Sequence, residues 1–152
     1  MAEEMTFLPK SELLSLEELE VVCRNFMRLG TRKIRLTGGE PTVRRDLAEI
    51  IGRLSDLSNV DKVALTTNGW NLARNIATWA DAGLTHLNVS VDSLEPAVFA
   101  KITGHDRLAA VLEGVDRALT LGLAGVKLNA VRQRDSVGTG FDRFAEYVRE
   151  RP

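Results

Sequence analysis

Apolar residues along the chain recur at two spacings, one near every third or fourth position and one at every second, and the two kinds of segment take turns. Ser15 followed by Glu18 is the pattern of a capping box, so a helix is expected over residues 16–29 with Gly30 at its end. Residues 33–37 then alternate as a strand, and the Gly38-Gly39-Glu40-Pro41 loop leads into a helix using Leu47, Ile50, Ile51 and Leu54. A second strand over residues 63–66 is closed by Thr67-Asn68-Gly69, and the helix after it carries Leu72, Ile76 and Trp79 and stops at Gly83. His86 to Ser90 reads as a third strand, followed by a long helix on Leu108, Val111, Leu112, Val115 and Leu119 that ends at Gly122. Residues 126–131 form the fourth strand, residues 132–140 are the most loop-like stretch, and Phe141, Phe144 and Val148 mark a last helix. Strands and helices in strict alternation predict an α/β fold with a parallel sheet.

The faces of these strands differ. Ile34 and Leu36, Val63 and Leu65, Leu87 and Val89, Val126 and Leu128 fall on one side; Arg35 and Thr37, Thr66, Asn88 and Ser90, Lys127 and Asn129 fall on the other. Parallel strands covered on both faces read instead as near-continuous apolar runs. The apolar side must meet the helices, so the polar side is expected to look into the interior of a barrel or half-barrel, a partial TIM-type architecture. An open antiparallel sheet with one wet face would give the same alternation, but helices between consecutive strands argue against it. A polar concave wall carrying the cations Arg35 and Lys127 suits a phosphate-bearing ligand.

Composition narrows the classes. The 152 residues are 44% apolar and 27% charged, with a net charge of -1, which fits one globular domain over residues 1–152 and disfavours nucleic acid or an acidic membrane as partner. No apolar run approaches the ~20 residues of a membrane span, and Met1-Ala2-Glu3-Glu4-Met5 lacks the basic start of a secretory signal, so a cytoplasmic location is expected. The single cysteine, Cys23, lies with Leu16, Leu19, Val22 and Phe26 on an apolar helical face and is expected to fill core. One thiol cannot supply the several ligands of an iron–sulfur cluster. His86 and His105 show no metal-ligand spacing, and no metal site or catalytic residue is assigned within the chain.

Three loops at C-terminal strand ends carry chemistry, the position where α/β barrels keep their sites. In Gly38-Gly39-Glu40-Pro41 the glycines allow close approach of a ligand to the backbone, and Glu40 offers a carboxylate to a ligand ammonium; by itself such a pair is also an ordinary turn. Thr66-Thr67-Asn68-Gly69 and Asn88-Val89-Ser90-Val91-Asp92-Ser93 present hydroxyls and amides suited to a ribose, a base edge or a carboxylate. Turn and capping roles would account for Asn68 and Asp92 without a ligand, whereas Thr66 and Ser90 should point inward. Arg44 and Arg45 precede Asp46 at a helix start, where cations oppose the dipole and call for an ion pair or a ligand.

Together, residues 33–41, Leu65-Thr66-Thr67-Asn68-Gly69, Asn88-Val89-Ser90-Val91-Asp92-Ser93 and Val126-Lys127-Leu128-Asn129, with Lys10, Leu13, Leu14 and Ile102-Thr103-Gly104, resemble the GTP 3′,8-cyclase family of radical S-adenosylmethionine enzymes, which open molybdenum-cofactor synthesis. The resemblance implies a partial barrel with S-adenosylmethionine held by Gly38, Gly39, Glu40 and Ser90, and GTP held by Arg35, Thr66 and Lys127. It also implies [4Fe–4S] clusters, yet the family's C-x-x-x-C-x-x-C motif and its second set of three cysteines have no counterpart here. The chain therefore resembles a central fragment, strands two to five of the family barrel, expected to be inactive alone and to self-associate through open barrel edges. A non-catalytic nucleotide- or S-adenosylmethionine-binding module, and a phosphate-binding barrel fragment of unrelated chemistry, remain alternative functions.

Overall fold

The computed structural model describes residues 12–131 and 139–151; most of the 132–140 stretch, Lys10 and the N-terminal residues named above lie outside them. The capping box forms as its spacing requires: Ser15 Oγ accepts from the Glu18 amide at 3.2 Å and Glu18 Oε2 accepts from the Ser15 amide at 2.8 Å. It starts α1 (Leu16–Arg28), after which come β1 (Lys33–Leu36), a 3-10 turn (Pro41–Val43) and α2 (Leu47–Ser55). The chain continues through β2 (Lys62–Thr67), α3 (Leu72–Asp81), β3 (His86–Ser90), α4 (Pro96–Thr103), α5 (Leu108–Thr120), β4 (Gly125–Asn129) and α6 (Thr139–Arg149).

The four strands are parallel and lie in chain order, β1-β2-β3-β4. Right-handed crossovers that always step in the same direction put every connecting helix on one face of the sheet. That is the winding of a barrel; a doubly wound sheet reverses direction midway and covers both faces. The antiparallel alternative is thus excluded. The covered face holds the core: Val63, Leu65, Leu87 and Val89 pack with Leu47 and Ile51 of α2, Leu72, Ile76 and Trp79 of α3, and Val111, Val115 and Ala118 of α5.

The helices reach the sheet, and each other, closely. Gly114 of α5 faces α3 so tightly that a Cβ there would sit 2.7 Å from Leu72 Cγ and 2.8 Å from the Ala73 backbone nitrogen. Arg117 fastens the same seam by donating to the Ala73 carbonyl at 2.8 Å.

Two elements depart from expectation. Helix α4 was not anticipated: its eight residues begin at Pro96 and bury only Phe99, too little apolar periodicity to stand out in the sequence. Helix α1 is less covered than its apolar face suggests. Leu16, Leu19 and Cys23 pack on a small cluster formed by Ile50, Leu54 and Leu57, while Val22 and Phe26 are 41% and 56% exposed. Its apolar stripe is wider than the surface α2 offers. Cys23 is half-buried and burial pushes its thiol pKa up, as for an inert filler thiol.

Alanine at position 114 should improve helix propensity by about 1 kcal/mol and still lower stability. The methyl group has only the Ala73 backbone and the Leu72 side chain to displace, and overpacking of that kind costs about 1–3 kcal/mol. Urea unfolding of Gly114→Ala is expected to show a lower midpoint at unchanged slope; a stabilised variant would mean that the two helices are free to part.

Candidate functional site

Four loops meet at the C-terminal edge of the sheet, and Glu40 joins the first two. Its Oε1 accepts from the Thr42 amide at 3.0 Å, the Thr42 hydroxyl at 2.6 Å and the Thr67 hydroxyl at 2.8 Å. Its Oε2 accepts from the Asn68 amide at 2.7 Å. One carboxylate therefore caps the turn that follows β1 and ties it to the end of β2. The sequence pointed to Glu40 as a ligand contact; this bracing duty had no signal there, because Thr67 and Asn68 are near it only in the folded sheet.

Thr67, 2% exposed, passes the link on by accepting from the Gly69 amide at 3.1 Å. Gly69 has φ +79°, and a Cβ there would lie 2.7 Å from Val111 Cγ1, so both its backbone and its space demand glycine. Asn68 closes a local turn by accepting from the Trp70 amide at 2.9 Å, and Asp92 accepts from the Val131 amide at 2.9 Å, joining the loops after β3 and β4. These are the turn roles considered for Asn68 and Asp92. Arg44 answers its position with a bidentate pair to Asp46, at 3.0 and 2.7 Å. Gly38 and Gly39 stand open, with nothing within 4 Å of where a Cβ would be, and Ser90 is exposed on the same edge.

Trp70, His105 and Arg107 form a cluster that the sequence did not reveal. The Trp70 and His105 rings meet edge-on at 4.9 Å between centroids, and the Arg107 guanidinium lies 4.5 Å from the Trp70 ring centre. The contact pins the loop after β2 to the segment between α4 and α5.

The uncovered face is organised in rows set by the strand register. Lys33 lies beside Lys62; Arg35, Ala64, His86 and Gly125 form the next row; Thr66, Asn88 and Lys127 follow; Ser90 and Asn129 close the edge. Arg35 and Lys127 are exposed, on the outer strands, and Thr66 lies between them with its Oγ1 buried and lacking a hydrogen-bond partner. A buried hydroxyl left unsatisfied is unfavourable by about 1–3 kcal/mol and marks a place where a ligand group would be welcome.

The wall is positive throughout. Among the described residues, none of Lys33, Arg35, Lys62 and Lys127 belongs to an ion pair. Glu40 and Asp92, the carboxylates in the loops after β1 and β3, bond to loop donors instead. Desolvation first, and then Lys33, Lys127 and Arg35, lower the pKa of Lys62 below the usual lysine value. Burial, followed by Lys62, Lys33, Lys127 and Arg35, does the same to His86. Cations from three strands thus act on one another across a single surface.

Residues 2–132 match the family model described as the Radical SAM superfamily. The chain belongs to that superfamily. It is 43% identical over 143 residues to a GTP 3′,8-cyclase of Haemophilus ducreyi, a match covering 94% of this chain and 42% of the relative. To a GTP 3′,8-cyclase of Pectobacterium atrosepticum it is 48% identical over 139 residues, covering 91% of this chain and 42% of the relative. The chain spans about two-fifths of the length of these curated relatives. Its fold is similar to the crystal structure of HydG, a maturase of the [FeFe]-hydrogenase, with a TM-score of 0.62 over 78% of this chain and 28% of that one at 16% identity.

Membership in a radical SAM superfamily implies S-adenosylmethionine and a [4Fe–4S] cluster, and the two fare differently here. The Gly38–Gly39 turn fits the first: nothing lies within 4 Å of either missing Cβ, so a ligand has room to approach the backbone. The cluster does not fit. The chain has one cysteine, and among the described residues no group of three or more His, Cys, Asp or Glu is placed to hold a metal.

Glu40→Ala should lower stability by about 1–3 kcal/mol, because it strips the partner from the buried Thr67 hydroxyl and from the Asn68 amide. Urea midpoints for the two proteins read this directly, with Glu40→Gln, which keeps one acceptor oxygen, falling between them. Anaerobic reconstitution with iron and sulfide should leave the chain without a visible chromophore after desalting. A retained stoichiometric cluster would show that Cys23 and other residues converge in a way the described structure does not contain.

Proposed function

We propose that this chain is the S-adenosylmethionine- and GTP-binding portion of a GTP 3′,8-cyclase, the lyase that converts GTP to the cyclic pterin precursor of molybdenum cofactor. The observation that carries this is the uncovered wall: Arg35 and Lys127 stand unpaired on its outer strands with the unsatisfied Thr66 hydroxyl between them. Relatives 43% and 48% identical bear that activity in their names, and the likeness runs across the wall and its loops.

In this reading each residue has a physical task. Arg35 gives a planar fork of donors and Lys127 a compact charge, a combination suited to a polyphosphate. Thr66 Oγ1 gains the partner it lacks when a ribose or base edge lies over β2. Gly38 and Gly39 offer backbone groups, and Ser90 its hydroxyl, to S-adenosylmethionine. Glu40 Oε2 takes one internal donor among the described residues and keeps acceptor capacity for a ligand ammonium, while Oε1 braces the loop. Bound S-adenosylmethionine would supply the adenosyl group for the radical chemistry of this superfamily, with Gly38, Gly39, Glu40 and Ser90 holding it.

The chain alone then binds without turning over. Strands β1 and β4 each lack a neighbour on one side among the described residues, which supports self-association or pairing with the remainder of the barrel. No helix among the described residues is long and apolar enough to cross a membrane, in keeping with a cytoplasmic enzyme acting on nucleotides.

Arg35→Ala and Lys127→Ala should each weaken GTP binding about ten- to a hundredfold, the loss of one charge-assisted contact of about 1.5–3 kcal/mol, with S-adenosylmethionine binding nearly unchanged. Ser90→Ala should do the reverse. Calorimetric titration of each variant with both ligands decides this. Equal losses for both ligands, accompanied by a lower melting temperature, would mean that the two cations serve the fold.

A further inference from the structure

His86 sits in the middle of the basic wall, and its contact with Thr85 bears on which of its nitrogens carries the proton. The preceding residue, Thr85, places Oγ1 2.9 Å from the Val63 carbonyl oxygen, 3.1 Å from the Val63 amide nitrogen and 2.9 Å from His86 Nδ1. A hydroxyl has one proton and two lone pairs. The three contacts are satisfied together when the hydroxyl proton goes to the Val63 carbonyl, one lone pair takes the Val63 amide and Nδ1 donates to the other. On that ground the neutral imidazole is assigned the Nδ1–H tautomer, which leaves Nε2 with a bare lone pair.

That lone pair lies over Gly125 of β4. A Cβ at Gly125 would come 2.7 Å from His86 Cδ2 and 3.2 Å from Nε2, so the missing side chain is what lets the ring lie across the neighbouring strand. Around it stand Lys33 and Arg35 from β1, Lys62 from β2 and Lys127 from β4, all cationic; its own strand contributes Asn88 and Ser90, which do not titrate. A lone-pair acceptor ringed by four cations is a poor contact for an anion as it stands. Adding one proton turns Nε2 into a charged donor on the same surface.

We infer that His86 is a proton-coupled anion contact: when a phosphate-like dianion settles on the basic wall, Nε2 takes up a proton and becomes one of its donors. This rests on the wall being an anion site, as proposed above. In the free protein, burial and the surrounding cations hold the His86 pKa below the usual histidine value, which favours the neutral ring. A bound dianion offsets that repulsion and raises the pKa. The bound state then holds more protons than the free state, and affinity must increase as pH falls through the interval between the two values. Above the interval the ring is neutral in both states and below it charged in both, so the dependence is confined to that window.

The test uses inorganic sulfate, whose charge stays constant over the range of about pH 5 to 8 in which histidine titrates. The chain has two histidines, and His105, packed on Trp70, serves as the internal reference. Imidazole NMR titrations with and without sulfate should show the Nδ1–H tautomer in the free protein. They should also show a sulfate-induced rise of roughly one pH unit at His86, with His105 unmoved, and hence about tenfold tighter binding at the acid end than at the alkaline end. His86→Gln, with a permanent amide donor, should bind sulfate without that pH dependence. If sulfate perturbs the Arg35 and Lys127 amides but moves the His86 midpoint no more than that of His105, the proton coupling is refuted and the anion wall stands. If none of these residues responds to sulfate, both readings fall. A free His86 in the Nε2–H tautomer would remove the geometric basis.

Discussion

Everything at this site depends on the direction in which the sheet is wound. Four parallel strands laid down in chain order, with right-handed crossovers, put all the helices on one side. The residues facing away from the helices then need not be apolar, and along β1 to β4 they are Arg35, Thr66, Asn88, Ser90 and Lys127. Had the winding reversed midway, helices would have covered this face too, and its unpaired cations would have been buried at great cost. The alternation of each strand and the order of the strands are one constraint expressed at two levels.

A wall of unpaired cations is unfavourable to the folded state: burial first, and then the neighbouring cations, disfavour the charged forms of Lys62 and His86. Carboxylates could relieve this, and two stand in the loops at the C-terminal edge of the sheet. Glu40 and Asp92, however, serve loop amides and hydroxyls at the sheet edge. Positive charge is thus left unneutralised on the face while negative charge is used to fix the edge, an arrangement suited to a ligand that brings its own anionic groups.

Much of this was legible in the sequence, for identifiable reasons. The capping box of Ser15 and Glu18, the helix on Leu72, Ile76 and Trp79, and the third strand are local patterns, and local patterns survive folding. The face assignment of the strands was legible because a period of two leaves no ambiguity about sides. What could not be read depended on residues far apart in the chain. Helix α4 rests on Phe99 alone, the Trp70 cluster joins residues over thirty positions apart, and the bonds of Glu40 to Thr67 and Asn68 appear only when β2 lies beside β1. His86 carries no signal of a role in the sequence, because its contact with Thr85 Oγ1 and its freedom to lie flat over Gly125 arise only in the folded sheet.

The edge and the wall also differ in how firmly each is held, and this bears on how two ligands could share the sheet. At the edge, the loops after β1 and β2 are joined through Glu40, and those after β3 and β4 through Asp92. These bonds set backbone positions in the loops that follow the four strands. The wall instead presents long cationic side chains from rigid strands, free to reorient because they have no ion-pair partners among the described residues. A preformed rim selects by shape and hydrogen-bond geometry, whereas an adaptable cationic surface selects by charge. The Thr66 hydroxyl lies at the junction, on the wall by its side chain and one residue from the Glu40 brace by its backbone. A ligand engaging it would therefore couple the two regions, and loosening the brace should disturb the wall through Thr66 before it reaches Arg35 or Lys127.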